Sequence, residues 1–307
     1  MAKDYTKQHI VPKSYLNRFG TKVGKKTLIG VRLIKNGKPT FFTDATDDVG
    51  YIKNFYDVTD KDDPKYWEHY FAREIDTLCG TAMENIISKV TLTTKDAVVL
   101  SEEDKAVLAK VIVAQLMRIP ESIDYVKNVL YPRVSAQVKE DLISALPPAF
   151  VEKHKDQIMN TEFSEQDQKE QMLNHSFEPS NFDRYCNVLR AGIWVIYVNM
   201  HRDVMPFLTS DNPVLVEGVG SKDTGIYRNG LANPATCIFY PLSPRIAVAI
   251  YSRQGILGMA ADVYDGRKIL LDELKYIMSR NVKIMAQAHR HSFIPQPLYD
   301  ELLNGSV

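Results

Sequence analysis

Cysteine is scarce in this chain of 307 residues: only Cys79, Cys186 and Cys237 occur, far apart and without a C-x-x-C pair. That scarcity fits a reducing compartment and disfavours a disulfide scaffold or a structural zinc site. Long apolar runs are missing too. The longest, around 111–117 and 191–200, fall well short of the roughly 18 residues that mark a membrane span. The opening MAKDYTKQH has no apolar stretch of the signal-peptide kind. A cytoplasmic protein without a membrane partner is therefore expected. The familiar catalytic strings are absent as well: no H-E-x-x-H, G-x-S-x-G, G-x-G-x-x-G or EF-hand loop occurs. Gly24-Lys25-Lys26-Thr27 looks like the end of a phosphate-binding loop, but Gly20 stands one position too near and Lys26 occupies the Ser/Thr place.

Net charge is also lacking, since 38 Lys and Arg balance 38 Asp and Glu. A zero total argues against a general polyanion binder. The balance hides two blocks: residues 1–40 carry ten basic residues and one acid, Asp4, whereas residues 41–80 carry ten acids and four basic residues. Either the basic block meets a phosphate-bearing ligand, or the two blocks lie side by side and cancel.

What is present reads as an α+β protein, a bundle of long helices packed on a mostly antiparallel β-sheet with a helical insertion. Residues 5–19 are predicted as a short helix entered through Pro12. A hairpin is predicted over 28–43 around the turn Lys35-Asn36-Gly37-Lys38. Apolar spacing predicts long helices at 64–90, at 101–119 and at 271–290. The second starts at Ser101-Glu102-Glu103-Asp104, ends before Pro120, and is apolar nearly all round, as a central buried helix should be. Strands are predicted at 193–198, 207–209, 237–240 and 246–251. Three regions follow: 1–120 with the hairpin and core helices, a polar helical insertion or lid at 121–180, and 181–307 with the sheet and last helix completing one composite core.

Polar residues inside the apolar stripes are the most informative feature. Glu74 lies three after Phe71 and four before Leu78, and so points with the apolar face. Gln115 and Arg118 share the central helix, and Asn281 falls on the stripe of the last helix. Burying a lone charge costs several kcal/mol, so these residues are expected to find one another. Either a buried Glu74–Arg118 pair, tied down by Gln115 and Asn281, fixes helix register, or the cluster lines a pocket and holds an anionic ligand. His9 poses the same choice between a satisfied core histidine and a catalyst. Asp211, in Thr209-Ser210-Asp211-Asn212-Pro213, is either turn chemistry or an acid–base or metal-ligating group at a strand end.

Several of these pieces match one family. Gln8-His9-x-Val11-Pro12-x-x-Tyr15-Leu16-x-x-Phe19 resembles the N-terminal signature of the bacterial DUF4238 family, whose biochemical function is unknown. Asn54-Phe55-Tyr56, Glu74, Gln115-x-x-Arg118-Ile119-Pro120, Thr209–Pro213, Pro241–Pro244 and Asn281 continue the pattern in order. Many members carry two adjacent histidines where this chain has Gln8-His9. The resemblance implies an association with bacterial anti-phage defence and names no reaction.

Function expectations follow from these residues. In a nuclease acting on RNA or DNA phosphodiesters, His9 would be the general acid or base and Arg118 would hold the phosphate. Asp211, with Glu74, would hold a divalent ion such as magnesium or orient His9. Gln8, Tyr15, Gln115, Asn212 and Asn281 would bind substrate. The alternatives are a non-catalytic sensor of a nucleotide or of a phage-encoded trigger, and an enzyme consuming a small nucleotide cofactor.

Overall fold

The computed structural model describes residues 6–35, 38–94, 97–162, 164–218, 224–295 and 298–300. The predicted turn at Asn36-Gly37 and the acid Asp4 lie outside them. The chain begins with strand β1 (Lys7–His9) and a single turn, α1 (Lys13–Leu16), followed by β2 (Thr21–Val23), β3 (Lys26–Lys35), β4 (Lys38–Ala45) and β5 (Tyr51–Lys53). Helix α2 (Tyr66–Tyr70) runs through a π-helical segment, Phe71–Asp76, into α3 (Thr77–Leu92). Then come α4 (Glu102–Met117), α5 (Pro120–Tyr125), a second π segment at Val126–Leu130, α6 (Tyr131–Ala145), α7 (Pro148–Asn160), α8 (Glu165–Phe177) and α9 (Pro179–Arg190). The remainder alternates β6 (Ile193–Asn199), β7 (Thr209–Ser210), β8 (Leu215–Gly218), α10 (Ile226–Asn229), β9 (Thr236–Pro241), β10 (Ile246–Tyr251), α11 (Ile256–Ala261), β11 (Lys268–Leu271), α12 (Leu274–Ala286) and β12 (His291–Ile294).

The architecture is α+β. One sheet has the order β11-β6-β10-β9-β8, antiparallel except where β11 joins β6. A second joins β2, β3, β12 and β7, with β4 on the far side of β3. The pair β1–β5 stands apart. Strand β6 is apolar on both faces because both are covered. Trp194, Ile196 and Val198 face the main core with α4 and α9, while Ile193 and Val195 pack with Phe207, Phe239 and Ile277 on the other side. The main core runs from Ile10 and Val11 through α4 to Phe293 in β12, so the segment after the first strand and the last strand pack into the same interior.

Helix α4 starts as its sequence predicts: the Ser101 side chain accepts from the Asp104 backbone N–H, and the Asp104 carboxylate accepts from the Ser101 N–H at 2.8 Å. The opening segment differs from expectation. Residues 7–9 form a strand, and helix is confined to 13–16. Pro12 has ψ 133° and disfavours helix for the residue before it, so the chain stays extended until Lys13. Gly50 holds this entrance. It sits at φ +67°, its carbonyl accepts from the Ile10 and Val11 N–H groups, and an added Cβ would lie 2.8 Å from Leu16. The basic and acidic blocks meet side by side, with Lys7 2.6 Å from Asp48 and Lys13 paired with Asp47.

Candidate functional site

Two side chains from α4 and its C-terminal end converge on one backbone carbonyl. Gln115 Nε2 donates to Ile10 O at 2.8 Å, and Arg118 Nε donates to the same oxygen at 3.2 Å. This carbonyl belongs to the residue after His9, whose imidazole feels the Arg118 charge. Arg118 is fully buried. Its Nη1 donates to Asp76 Oδ1 at 2.7 Å, its guanidinium lies over the Phe71 ring at 5.3 Å, and its carbonyl accepts from Tyr56 OH at 2.9 Å. Burial opposes the charge, but Asp76 and Tyr56 outweigh it, so its pKa is raised. Arg118 Nη2 is buried and has no partner among the described residues.

The ionisable groups around this cation are tuned in opposite directions. Burial lowers the pKa of His9, with Asp76 raising it and Arg118 lowering it further. The Thr46 backbone also raises it slightly, and Nε2 is buried without a partner among the described residues. Glu68, on α2, is pushed up to about 7 by burial, reinforced by the charge of Asp76 and opposed by Arg118. At neutral pH an uncharged imidazole and a carboxyl poised to release its proton each feel the charges of Arg118 and Asp76, while no contact joins His9 to Glu68 among the described residues. A base, an acid and an anion-binding group are the minimum set for acid–base chemistry on a charged substrate.

Asp211 and Asn212 lie elsewhere. Asp211 is buried with Oδ1 accepting from His289 N at 2.7 Å and Oδ2 accepting from Arg290 N and His291 N, both at 2.8 Å. It secures the chain between α12 and β12. These donors do not fit a divalent ion, since both oxygens are already engaged, and no three His, Cys, Asp or Glu side chains gather as a metal site among the described residues. Asn212 donates to Glu121 at 2.6 Å and, with Glu121, Asp124 and His289, borders a separate cleft of about 270 Å³.

The sequence profile of a protein family of unknown function, DUF4238, matches residues 7–294. The chain belongs to the DUF4238 family. Searches of curated proteins and of solved structures find no significant match. Within the matched span of this DUF4238 chain, the segment around Ile10 meets Arg118 at the Ile10 carbonyl, while Asp211 closes the loop before β12.

Other predicted residues of this DUF4238 chain act as fasteners. Gln8 donates to Asp57 at 2.6 Å and accepts from Tyr56 N at 2.5 Å. Tyr15 OH pairs with Thr209 Oγ1 at 2.6 Å, donates to Pro241 O at 2.9 Å and stacks on Tyr240. Asn281 accepts from Leu208 N and donates to Pro206 O, far from the partners expected for it on Arg118. Glu74 requires correction. It does not point with the apolar face; its side chain is half exposed and pairs with Arg73. The π segment holds more residues per turn than an α-helix, so the buried stripe advances in steps of four, Trp67, Phe71, Ile75, Cys79 and Met83. That slip sends Glu74 to solvent and brings Asp76 round to Arg118. Asp76 escaped the sequence reading for this reason, and the step-of-four spacing was the available signal; Glu68, before the π segment, carries no such signal.

Proposed function

We propose that this protein is an acid–base hydrolase of phosphodiesters, with a nucleic acid or nucleotide as substrate, serving bacterial anti-phage defence. The observation that carries the reading is the fully buried Arg118, whose Nη2 has no partner among the described residues, with the His9 imidazole and a Glu68 carboxyl near neutrality both within reach of its charge. Buried unsatisfied polar groups are few in native proteins, and ligand sites are where they are tolerated. In this scheme Arg118 Nη2 binds a phosphoryl oxygen. His9 Nε2 takes a proton from the attacking water as the new P–O bond forms. Glu68 gives its proton to the leaving oxygen as the old bond breaks. Asp76 positions the guanidinium. The link to defence rests on the family resemblance.

A compact nucleotide is favoured over a long polyanion by one observation. Lys7 and Lys13 of the basic block are paired with Asp48 and Asp47, which weakens any electrostatic funnel for nucleic acid. The test incubates the full chain with RNA, single- and double-stranded DNA and a nucleotide panel, with magnesium and with chelator. Turnover of one class that drops about 100-fold in His9→Ala and in Glu68→Gln, with the fold retained, supports the proposal. Saturable nucleotide binding without turnover, together with equal phage protection by wild type and both variants, rejects catalysis in favour of a sensor.

A further inference from the structure

A cavity of about 820 Å³ opens among the second π segment, α6, α8, α9 and the loop after α10. Its volume falls within the roughly 300–1,000 Å³ of small-molecule sites. Met117, Val126, Leu130, Met172, Val188 and Leu231 form apolar walls. The polar side is one-signed. Arg184 and His175 line the cavity, and no Asp or Glu does. Arg184 lies over the Tyr185 ring at 5.4 Å and has no ion-pair partner among the described residues. His175 Nδ1 is 3.2 Å from Asn181 Nδ2.

We propose that this cavity binds a small amphiphile with an apolar body and a single anionic head, carboxylate or phosphate. The apolar body removes the cavity walls from water. Seating it also desolvates the guanidinium, which no carboxylate of the lining compensates, and an anionic head supplies the missing charge. A neutral amphiphile gains the first term without the second, and a cationic one is repelled. Nothing in this inference rests on the chemistry assigned to His9 and Glu68.

The experiment titrates the full chain by calorimetry and thermal shift with dodecanoate, dodecyl phosphate, dodecanol and dodecyltrimethylammonium, all below their micelle concentrations. Both anions are expected to bind saturably and at least about tenfold more tightly than dodecanol, the worth of a charge-assisted hydrogen bond. The cation is expected not to bind. Arg184→Glu, at an exposed position that leaves packing intact, is expected to remove the preference for anions. Val188→Trp narrows the apolar wall and is expected to weaken binding of both anions with the far-ultraviolet spectrum unchanged. The proposal is overturned if no probe binds saturably, if dodecanol binds as tightly as the anions, or if Arg184→Glu keeps the wild-type order of affinities.

Discussion

Glu68 and His9 respond to the same burial with opposite consequences for pH dependence. Desolvation disfavours whichever form is charged, so it raises the Glu68 carboxyl to about 7 from 4.5 and lowers the His9 imidazole below its usual 6.5. In the fold Glu68 binds its proton more tightly than in the unfolded chain. Its ionisation therefore costs stability progressively as pH rises from the unfolded value to about 7, and nothing below that window. His9 works in the other direction: the neutral ring is favoured in the fold, and that advantage is lost as pH falls from 6.5 through its lowered pKa. Glu68→Gln is thus expected to gain stability relative to wild type between pH 4.5 and pH 8. The gain should be about 1–2 kcal/mol once partial exposure of the group is discounted, read by urea denaturation at each pH. An unchanged difference across that range would show that the carboxyl titrates normally. Catalysis by the pair adds a second reading. The rate should be bell-shaped, rising as His9 loses its proton and falling near pH 7 as Glu68 does, and Glu68→Gln should lose the alkaline limb along with most of the rate.

The π segment Phe71–Asp76 decides which acid meets Arg118. Deleting the exposed Ala72 restores α-helical spacing and turns Asp76 away, leaving a buried guanidinium without its carboxylate. The expected loss is about 3 kcal/mol or more in denaturant unfolding, and much less when Asp76 is already Asn. Equal losses in the two backgrounds would mean that the segment does not set the pair. Asp211 gives the complementary case at the far end of α12. Asp211→Ala orphans three backbone N–H groups and should cost about 2–4 kcal/mol while turnover per folded molecule stays within about twofold. A collapse of turnover at unchanged stability would restore it to the chemistry. These two elements also show what could be read without coordinates. The capping box and unbroken apolar girth of α4, the apolar run 193–198 of β6 and the hairpin of β3 and β4 were legible because their local pattern and tertiary setting agree. Arg118 and Gln115 were legible as polar residues with nowhere to hide. Glu74 was misplaced because counting by 3.6 assumes an α-helix throughout, and no local residue announces the π turn. Strands β1, β5 and β12, three or four residues long, carry too little alternation to be told from loop.

Across the whole molecule, burial is unevenly shared. Helices α6 and α7 contain no buried residue, and Val134, Val138 and Leu142 of α6 form an exposed apolar stripe at four-residue spacing. The hairpin they make is therefore a poor contributor to the core that joins Ile10 to Phe293. Its two ends lie close together, because Lys127 on one side is paired with Glu165 on the other. A short Gly-Ser linker can thus replace residues 132–162 without straining either α8 or the π segment before α6. Stability is expected to change by no more than about 1 kcal/mol, since the excised residues are surface residues that bury little. Solubility should rise with the loss of the exposed stripe. Chemistry and binding should then separate. The excised protein keeps His9, Glu68, Asp76 and Arg118 and is expected to retain turnover, but it loses Val134 from the cavity wall and is expected to bind dodecanoate more weakly. Cooperative unfolding with an unchanged midpoint, intact turnover and weakened amphiphile binding is the predicted pattern. Loss of turnover together with the hairpin would instead make α6 and α7 part of the catalytic unit, closing over substrate from a distance that the buried core does not bridge.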